Sequence, residues 1–395
     1  MVILSINAGS STLKFGVHDI EHGIAQPAAL TGSIEGLEPG GHLSLSWRSG
    51  GQVHREQPDV DGHAEPFHVA LQTLQRLLQE QRAGRTLQAI AHRVVHGGAS
   101  FRQAVKVDAA ILHTLSDLAP LAPLHQPHNI DGILALGRAF PDVPQIACFD
   151  TAFHADLPEE EYLFALPQAL GQQGIRRYGF HGLSYQSVSQ TLARFSQRAA
   201  GRVVMAHLGN GASLCGMLDG KSRATTMGFS ALDGLMMGTR CGAIDAGVLL
   251  HLLAQGWDHA RLEALLYRQS GLLGVSGISA DMRQLRASDD PNAQLAIRLF
   301  GYRVVRETAA VAACIGGLDA LVFTGGIGEH DQLLRADVCD RLAFLGVALD
   351  HDKNSTADGT QVVPVHSKSS QAEVWVIPTD EARMAAQIAA DLLRQ

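Results

Sequence analysis

The feature that most constrains this chain is a short unit that occurs twice. Val203 to Ser213, Val-Val-Met-Ala-His-Leu-Gly-Asn-Gly-Ala-Ser, is an apolar strand running into a glycine-bounded polar turn, and Leu214 to Leu218 resumes in apolar residues up to Asp219-Gly220. That last pair suits a hairpin tip with positive φ angles. Near the N-terminus, Val2 to Val17 repeats the pattern: Ile3 to Ile6 is apolar, Asn7, Gly9, Ser10 and Ser11 form the turn, and Leu13, Phe15 and Val17 alternate. The repetition predicts duplicated halves, each opened by a hairpin. A third junction, Leu321 to Glu329, ends a strand in glycine-rich backbone that a large ligand can approach closely. Amides and hydroxyls in such turns suit phosphates, although glycine after a strand is also ordinary turn punctuation. Neither a dinucleotide fingerprint nor a complete P-loop occurs; Gly216 to Ser222 comes near, but its first glycine is too close to Gly220-Lys221-Ser222.

A chain of 395 residues, 46% hydrophobic and 18% charged, is long enough for two domains with separate cores. Its net charge of −8 argues against nucleic acid. It says little about a small anion, because a few arginines and backbone dipoles set the field in a cleft. The first residues read as a strand rather than a basic leader, and no uncharged apolar run approaches the ~18 residues of a membrane span, so a cytoplasmic protein is expected. Cys148, Cys215, Cys241, Cys314 and Cys339 are scattered without metal or redox spacing and read as reduced core thiols.

In chain order, strands are expected at Ala28 to Ile34 and Leu43 to Trp47, turning at Gly50-Gly51. A helix follows over His63 to Arg82, where Phe67, Leu71, Leu74 and Leu78 share one face. The strands Leu87 to Val95 and Gln145 to Phe149 present Arg93 and Asp150 near their C-terminal ends, where open α/β sheets place ligands. The two residues face one crevice or form an ordinary surface ion pair. Two prolines in Ala122 to Asn129 predict a loop, and its histidines lack the partners a zinc site needs. His181 precedes a helix starting near Leu183, a place that favours anions or holds a core histidine. Arg240 ends a run without basic residues; a phosphoryl clamp and a buried ion pair are both open. Helices are expected around Asp245 to Gln255, Asp258 to Gln269 and Pro291 to Gly316, with Asp281 and Arg283 after a glycine-rich loop from Gly271 to Gly277. Asp380 and Glu381 open a last amphipathic helix, where Glu381 has at least a dipole-compensating role.

Nine of these stretches together resemble the acetate kinase family: Asn7 to Lys14, His92 to Gly98, Ala122 to Asn129, Asp150 to His154, Tyr178 to His181, His207 to Ser213, Met227 to Arg240, Phe323 to Glu329 and Thr379 to Glu381. They occur in the family's order across nearly the whole chain. The resemblance implies an α/β fold of two ribonuclease H-like domains, as in sugar kinases, actin and heat-shock chaperones, with mixed sheets flanked by helices and nucleotide in an interdomain cleft. It places the first domain at residues 1–150 plus 380–395 and the second at 151–379, in a homodimeric cytoplasmic enzyme. Carried over residue by residue, Asn7, Ser10, Ser11 and Lys14 match the first phosphate hairpin, and His207, Asn210 and Gly211 the second. Asp281, Arg283, Gly326 and Ile327 match the nucleotide side. Asp150, Glu381 and Asn7 match groups that organise magnesium, with manganese as the alternative metal, and Arg93, Arg240 and His181 those around the transferred phosphoryl group. Val95, Leu124, Phe180 and Ala231 match the wall around the substrate's alkyl end.

The reaction implied is reversible in-line transfer of the ATP γ-phosphoryl group to acetate, giving acetyl phosphate and ADP; propionate kinase, or a hydrolase or ATPase on the same fold, is the alternative. A carboxylate acceptor is already ionised, so the chemistry asks for charge neutralisation rather than a general base. The chain departs from the family pattern at Leu183 and Tyr185, where threonine and histidine are usual, and at Cys241, Ala243 and Ala246, where serine, aspartate and proline are. These positions bear on the hydrogen-bond support of His181 and Arg240. Ala231 stands where proline is usual, removing bulk, while the branched Val95 favours acetate.

Overall fold

The structure, a computed structural model, describes residues 1–9, 11–37, 42–58, 66–81, 86–122 and 125–395. It divides into two compact units, residues 1–152 with 380–395, and residues 153–379. Each is built on one mixed sheet.

In the first unit the strands are β1 (Val2–Ala8), β2 (Thr12–Glu21), β3 (Ile24–Ala25), β4 (Leu30–Glu35), β5 (Ser44–Ser49), β6 (Gln52–Glu56), β7 (Leu87–Val94), β8 (Val105–Lys106) and β9 (Gln145–Phe149). Their order is β6-β5-β4-β2-β1-β7-β9-β8, with β3 paired to β2. The second unit holds β10 (Val203–Leu208), β11 (Ala212–Leu218), β12 (Lys221–Thr225), β13 (Ala320–Thr324), β14 (Val363–Pro364) and β15 (Glu373–Val376), ordered β12-β11-β10-β13-β15-β14. The two orders superimpose strand for strand: β4-β2-β1-β7-β9-β8 against β12-β11-β10-β13-β15-β14. In each, an antiparallel hairpin passes to parallel pairs, β1 with β7 and β7 with β9, β10 with β13 and β13 with β15. The duplication expected from the two hairpin sequences is thus a duplication of whole sheets.

Period-two alternation sorts each strand between two faces. In the first unit Val2, Leu4, Ile6, Leu13 and Phe15 share a core with Leu71, Leu74 and Leu78 of the helix Pro66–Gln81. The helix Glu381–Leu392, capped by Asp380, packs on β1, β2 and β7. In the second, Val203, Met205, Cys215 and Met217 pack with Tyr185, Val188 and Leu192 of the helix Gly182–Phe195. The helix Pro291–Cys314 packs on β10, β11 and β12. It comes so close that a methyl group on Gly216 would lie 2.6 Å from Val311 Cγ1. Asp219 (φ 52°) and Gly220 (φ 72°) make the expected hairpin tip between β11 and β12.

Three local expectations are corrected. Pro127 does not exclude helix: it sits in the first turn of the helix Gln126–Ala139, where its missing N–H removes no intrahelical bond. The stretch Gly271–Ser276 is a helix rather than a loop, and its terminal glycines, both with positive φ, start and stop it. Among the cysteines, Cys148, Cys215 and Cys339 are buried, but Cys241 is half-buried and Cys314 exposed, so only three are core thiols. All five are free, and burial pushes the Cys148 and Cys215 thiols up to about 12. Among the described residues no helix is long and apolar enough to cross a membrane.

Candidate active site

In the first unit the site residues gather at the ends of adjacent strands. Arg93 near the end of β7 meets Asp150, just past β9, in a bidentate pair: Nη2 to Oδ2 at 2.5 Å and Nε to Oδ1 at 3.3 Å. Its Nη1 donates to Asn7 Oδ1 at 3.2 Å, and Glu381 Oε2 lies 3.7 Å from Nε. Asp150 is 1% exposed, which excludes the ordinary surface pair. Burial opposes the charge on Arg93, but the Asp150 and Glu381 carboxylates outweigh it and the guanidinium's pKa is raised. Glu381 therefore does more than compensate a helix dipole.

Asn129 ties this arrangement together, accepting from Val95 N at 3.0 Å and donating to Ala8 O at 2.8 Å. It joins the ends of β1 and β7 and fixes buried Val95 beside them. Across the hairpin Asn7 pairs with Lys14, which like Ser11 is exposed. Ser10 and Leu124 lie outside the described residues.

Two carboxylates and an amide oxygen converging on one cation form an all-oxygen donor set. That set fits magnesium, which takes one or two carboxylates, keeps several waters and binds phosphate oxygens as well. Among the described residues no group of three or more His, Cys, Asp or Glu side chains is placed to hold a metal. Softer transition metals are less well matched to such oxygen donors.

In the second unit His181 caps the helix Gly182–Phe195 in a left-handed conformation (φ 60°, ψ 25°), uncommon for a residue with a Cβ. Its ring stacks on His207, centroids 4.2 Å apart. A methyl group on Gly211 would come 2.8 Å from Arg240 Nη2 and 3.3 Å from His181 Nε2, so both cation and imidazole converge over that glycine. Arg240 is anchored through Nη1 to Ala231 O at 2.5 Å, and Gly238 N donates to Asn210 O at 3.0 Å. The loop carrying Arg240 is thereby clamped to the hairpin tip. Phe180 is buried and Ala231 half-buried.

The same unit contains a cavity of ≈ 910 Å³, large for a small-molecule site. Asp281, Arg283, Gly326 and Ile327, expected on the nucleotide side, line it together with Asn210 of the second phosphate hairpin; His207 and Gly211 of that hairpin do not. Asp281 caps the helix Met282–Arg286 and pairs with Arg283 at 2.6 Å. The expected glycine-rich strand end at Gly325 instead opens the helix Gly325–His330, which presents Gly326 and Ile327. Glu329 holds this turn, accepting from Gly325 N at 2.8 Å and Thr379 N at 3.0 Å. Sequence reasoning missed the far wall: Arg286, paired to Asp331 at 3.1 Å, with His330, Gln332 and Leu333. The only local signal there is Asp331 as the N-cap of the helix Gln332–Arg341.

The first unit carries a cation set with magnesium-type donors, and the second an arginine and a histidine converging over a glycine together with a nucleotide-sized cavity; such groups suit the movement of a phosphoryl group between anions. Comparisons agree. The model of the acetokinase family matches residues 2–387. An acetate kinase of Rhodopseudomonas palustris is 49% identical, covering 98% of this chain and 97% of its own, and one of Methylocella silvestris is 43% identical over 100% and 98%. Among solved structures, a propionate kinase from Francisella tularensis superposes with a TM-score of 0.90 at 36% identity, covering 98% of both chains. The acetate kinase of Porphyromonas gingivalis gives 0.89 at 33%, covering 99% of both.

Proposed function

The chain belongs to the acetokinase family, and from that premise we propose that it transfers the γ-phosphoryl group of ATP reversibly to acetate, giving acetyl phosphate and ADP. The fold is that of actin-like ATPases, two mixed sheets flanked by helices. The observation that carries the functional reading is the convergence of His181 Nε2 and the Arg240 guanidinium over Gly211, which supplies donors for the equatorial oxygens of a transferring phosphoryl group. Neither side chain is asked for covalent chemistry, because the acceptor carboxylate is itself the nucleophile and is already ionised near neutral pH.

Asp150, Glu381 and Asn7 would hold magnesium, which when bound neutralises charge on the nucleotide's phosphates. Arg93 is the protein's own counter-charge at the same place and holds the acceptor carboxylate. Asp150 orients Arg93 rather than accepting a proton. The cavity takes the nucleotide, with Asn210, Gly326 and Ile327 offering backbone close to it. The family match assigns Val95 of the first unit, and Phe180 and Ala231 of the second, to the acid's alkyl end, and the bulk of Val95 is proposed to set which acid is used. Incubation with magnesium-ATP and acetate, propionate or butyrate, with hydroxylamine trapping of the acyl phosphate, tests the reading; ADP without hydroxamate would make the protein a hydrolase. We expect kcat/KM to fall in that order of acids. Val95→Ala should move the acetate to propionate ratio toward propionate by a factor reflecting about 1–3 kcal/mol, the worth of one methylene. An unchanged ratio would remove Val95 from the wall.

A homodimer is proposed as the working form. The helix Ala246–Ala254 has no buried residue, and Leu250 (68% exposed) and Leu253, neighbours three positions apart on one face, leave apolar surface uncovered. Leu250→Glu should convert a dimer to a monomer in sedimentation velocity; an unshifted coefficient would place the interface elsewhere. The cytoplasm, where ATP is available and free thiols stay reduced, is the proposed compartment.

A further inference from the structure

The helix that begins after His181 carries a second polar side chain into the core. Tyr185 is wholly buried, and its Oη lies 2.5 Å from Ser213 Oγ, which lies 2.8 Å from His181 Nδ1. His181 and Tyr185 are one helical turn apart, on the same face, while Ser213 comes from β11 opposite His207. The three groups thus form a line from the core to the site. Burial pushes the Tyr185 phenol's pKa well above its ordinary value and keeps it protonated, and a buried hydroxyl proton needs an acceptor, for which Ser213 Oγ is in reach. Serine has one proton. Having accepted from Tyr185, Ser213 donates to His181 Nδ1, which leaves the ring proton of His181 on Nε2, the nitrogen beside Arg240 over Gly211.

We propose that Tyr185 is a positioning residue for phosphoryl transfer: acting through Ser213, it fixes His181 as the tautomer whose Nε2–H donates toward the transferring group. The inference rests on the role given to His181 above. Two features make the device effective. The plane of the His181 ring is set separately, by stacking on His207, whose Nδ1 is in turn held by Ser184 Oγ at 2.8 Å. The line therefore has one task, proton placement. Tyr185 is also packed among Phe153 and His154, with no exposed surface, so no solvent is available to replace its hydroxyl. A fixed donor spares the site the reorganisation that a ring free to exchange tautomers would need at the moment of reaction.

The test is Tyr185→Phe, which keeps the ring and removes the donor, alongside Ser213→Ala and the double variant. Nitrogen-15 spectra of histidine-labelled protein, assigned with His181→Gln, report the tautomer directly, and steady-state kinetics are measured with ATP and acetate. The wild type should show one tautomer with the proton on Nε2, and Tyr185→Phe a mixture. Its kcat should fall on the order of tenfold, the scale of a small misplacement at a reacting centre, while KM for ATP and the melting temperature stay close to wild type. The double variant should lose no more than Ser213→Ala alone, as serial groups do. An unchanged tautomer in Tyr185→Phe overturns the line itself. A changed tautomer with undiminished kcat overturns the positioning role by removing His181 from transfer, and a kcat loss that follows the melting temperature and KM for ATP reduces Tyr185 to a packing residue.

Discussion

At the scale of single residues, the two arginines of the site differ in what surrounds them. Arg93 already has carboxylate partners, Asp150 at 2.5 Å and Glu381 at 3.7 Å, so removing it leaves buried acidic groups uncompensated and mixes loss of function with loss of stability. Arg240 donates to the Ala231 carbonyl, and its Nη2 stands over Gly211, where the transferring group is proposed to lie. It is the more direct probe of transfer. Arg240→Ala should lower turnover by roughly 10³ to 10⁵, the range for arginines acting on a transferring phosphoryl group. ATP affinity by calorimetry should change much less, because nucleotide contacts are assigned to the cavity around Asn210 and Arg283. Equal losses in binding and turnover with a lower melting temperature would return Arg240 to a structural role. Arg240 is visible in the sequence as the one arginine closing a run without basic residues, but its convergence with His181 is not, because the residue joining them is a glycine and leaves no side-chain signal.

At the scale of elements, local rules reached far. Hairpins were legible because their register is written in period-two alternation and in turn residues a few positions apart, as at Asp219 and Gly220. Helix starts were legible at Asp245 and Asp258, where the expected helices begin and where each aspartate is the N-cap. The errors at Pro127 and Gly271 share a cause: each residue type breaks a helix interior yet is tolerated or favoured at an end, so the boundary decides. The cavity's far wall was illegible because Arg286 and Asp331 are joined only by tertiary packing of separate helices. Gly216 shows the same limit from the other side. In sequence it looked like the start of an incomplete P-loop, whereas in the fold it clears space for Val311 and Ile315 of the helix region lying on β11. Gly216→Val should therefore cost about 1–3 kcal/mol in urea unfolding, as overpacking of a close-packed core does. A neutral result would show that this helix can withdraw from the sheet without loss.

At the scale of the whole molecule, both units bury a neutral histidine in their structural interior, and this links folding to pH. In the first unit His92 is 2% exposed and its Nε2 lies 2.7 Å from Gln145 Oε1; in the second His154 is 1% exposed, 2.8 Å from Ser222 Oγ and 2.9 Å from Phe180 O. Burial disfavours the charged ring and pushes both pKa values down to about 4 from the ordinary 6.5, against the upward pull of their hydrogen bonds. As pH falls below 6.5 the unfolded chain takes up these protons while the folded protein does not until about 4. Stability contributed by the neutral rings is thus fully present above 6.5, declines between 6.5 and 4, and is flat below. Each ring accounts for on the order of 3 kcal/mol across that window. Urea unfolding at intervals from pH 7.5 to 5 should show the free energy falling with a slope to which His92 and His154 each contribute up to about one proton and buried His18, also shifted down by burial, a further part. His154→Asn should reduce that slope by about one. Acid should also reach the site before global unfolding, because His154 holds the carbonyl of Phe180, the residue before His181. Turnover measured at saturating substrate should then decline at a pH where the urea midpoint is still well above zero. A flat stability profile between pH 6.5 and 5 would mean that both rings become charged in the folded protein with no penalty, and that these interiors are wetter than their burial implies.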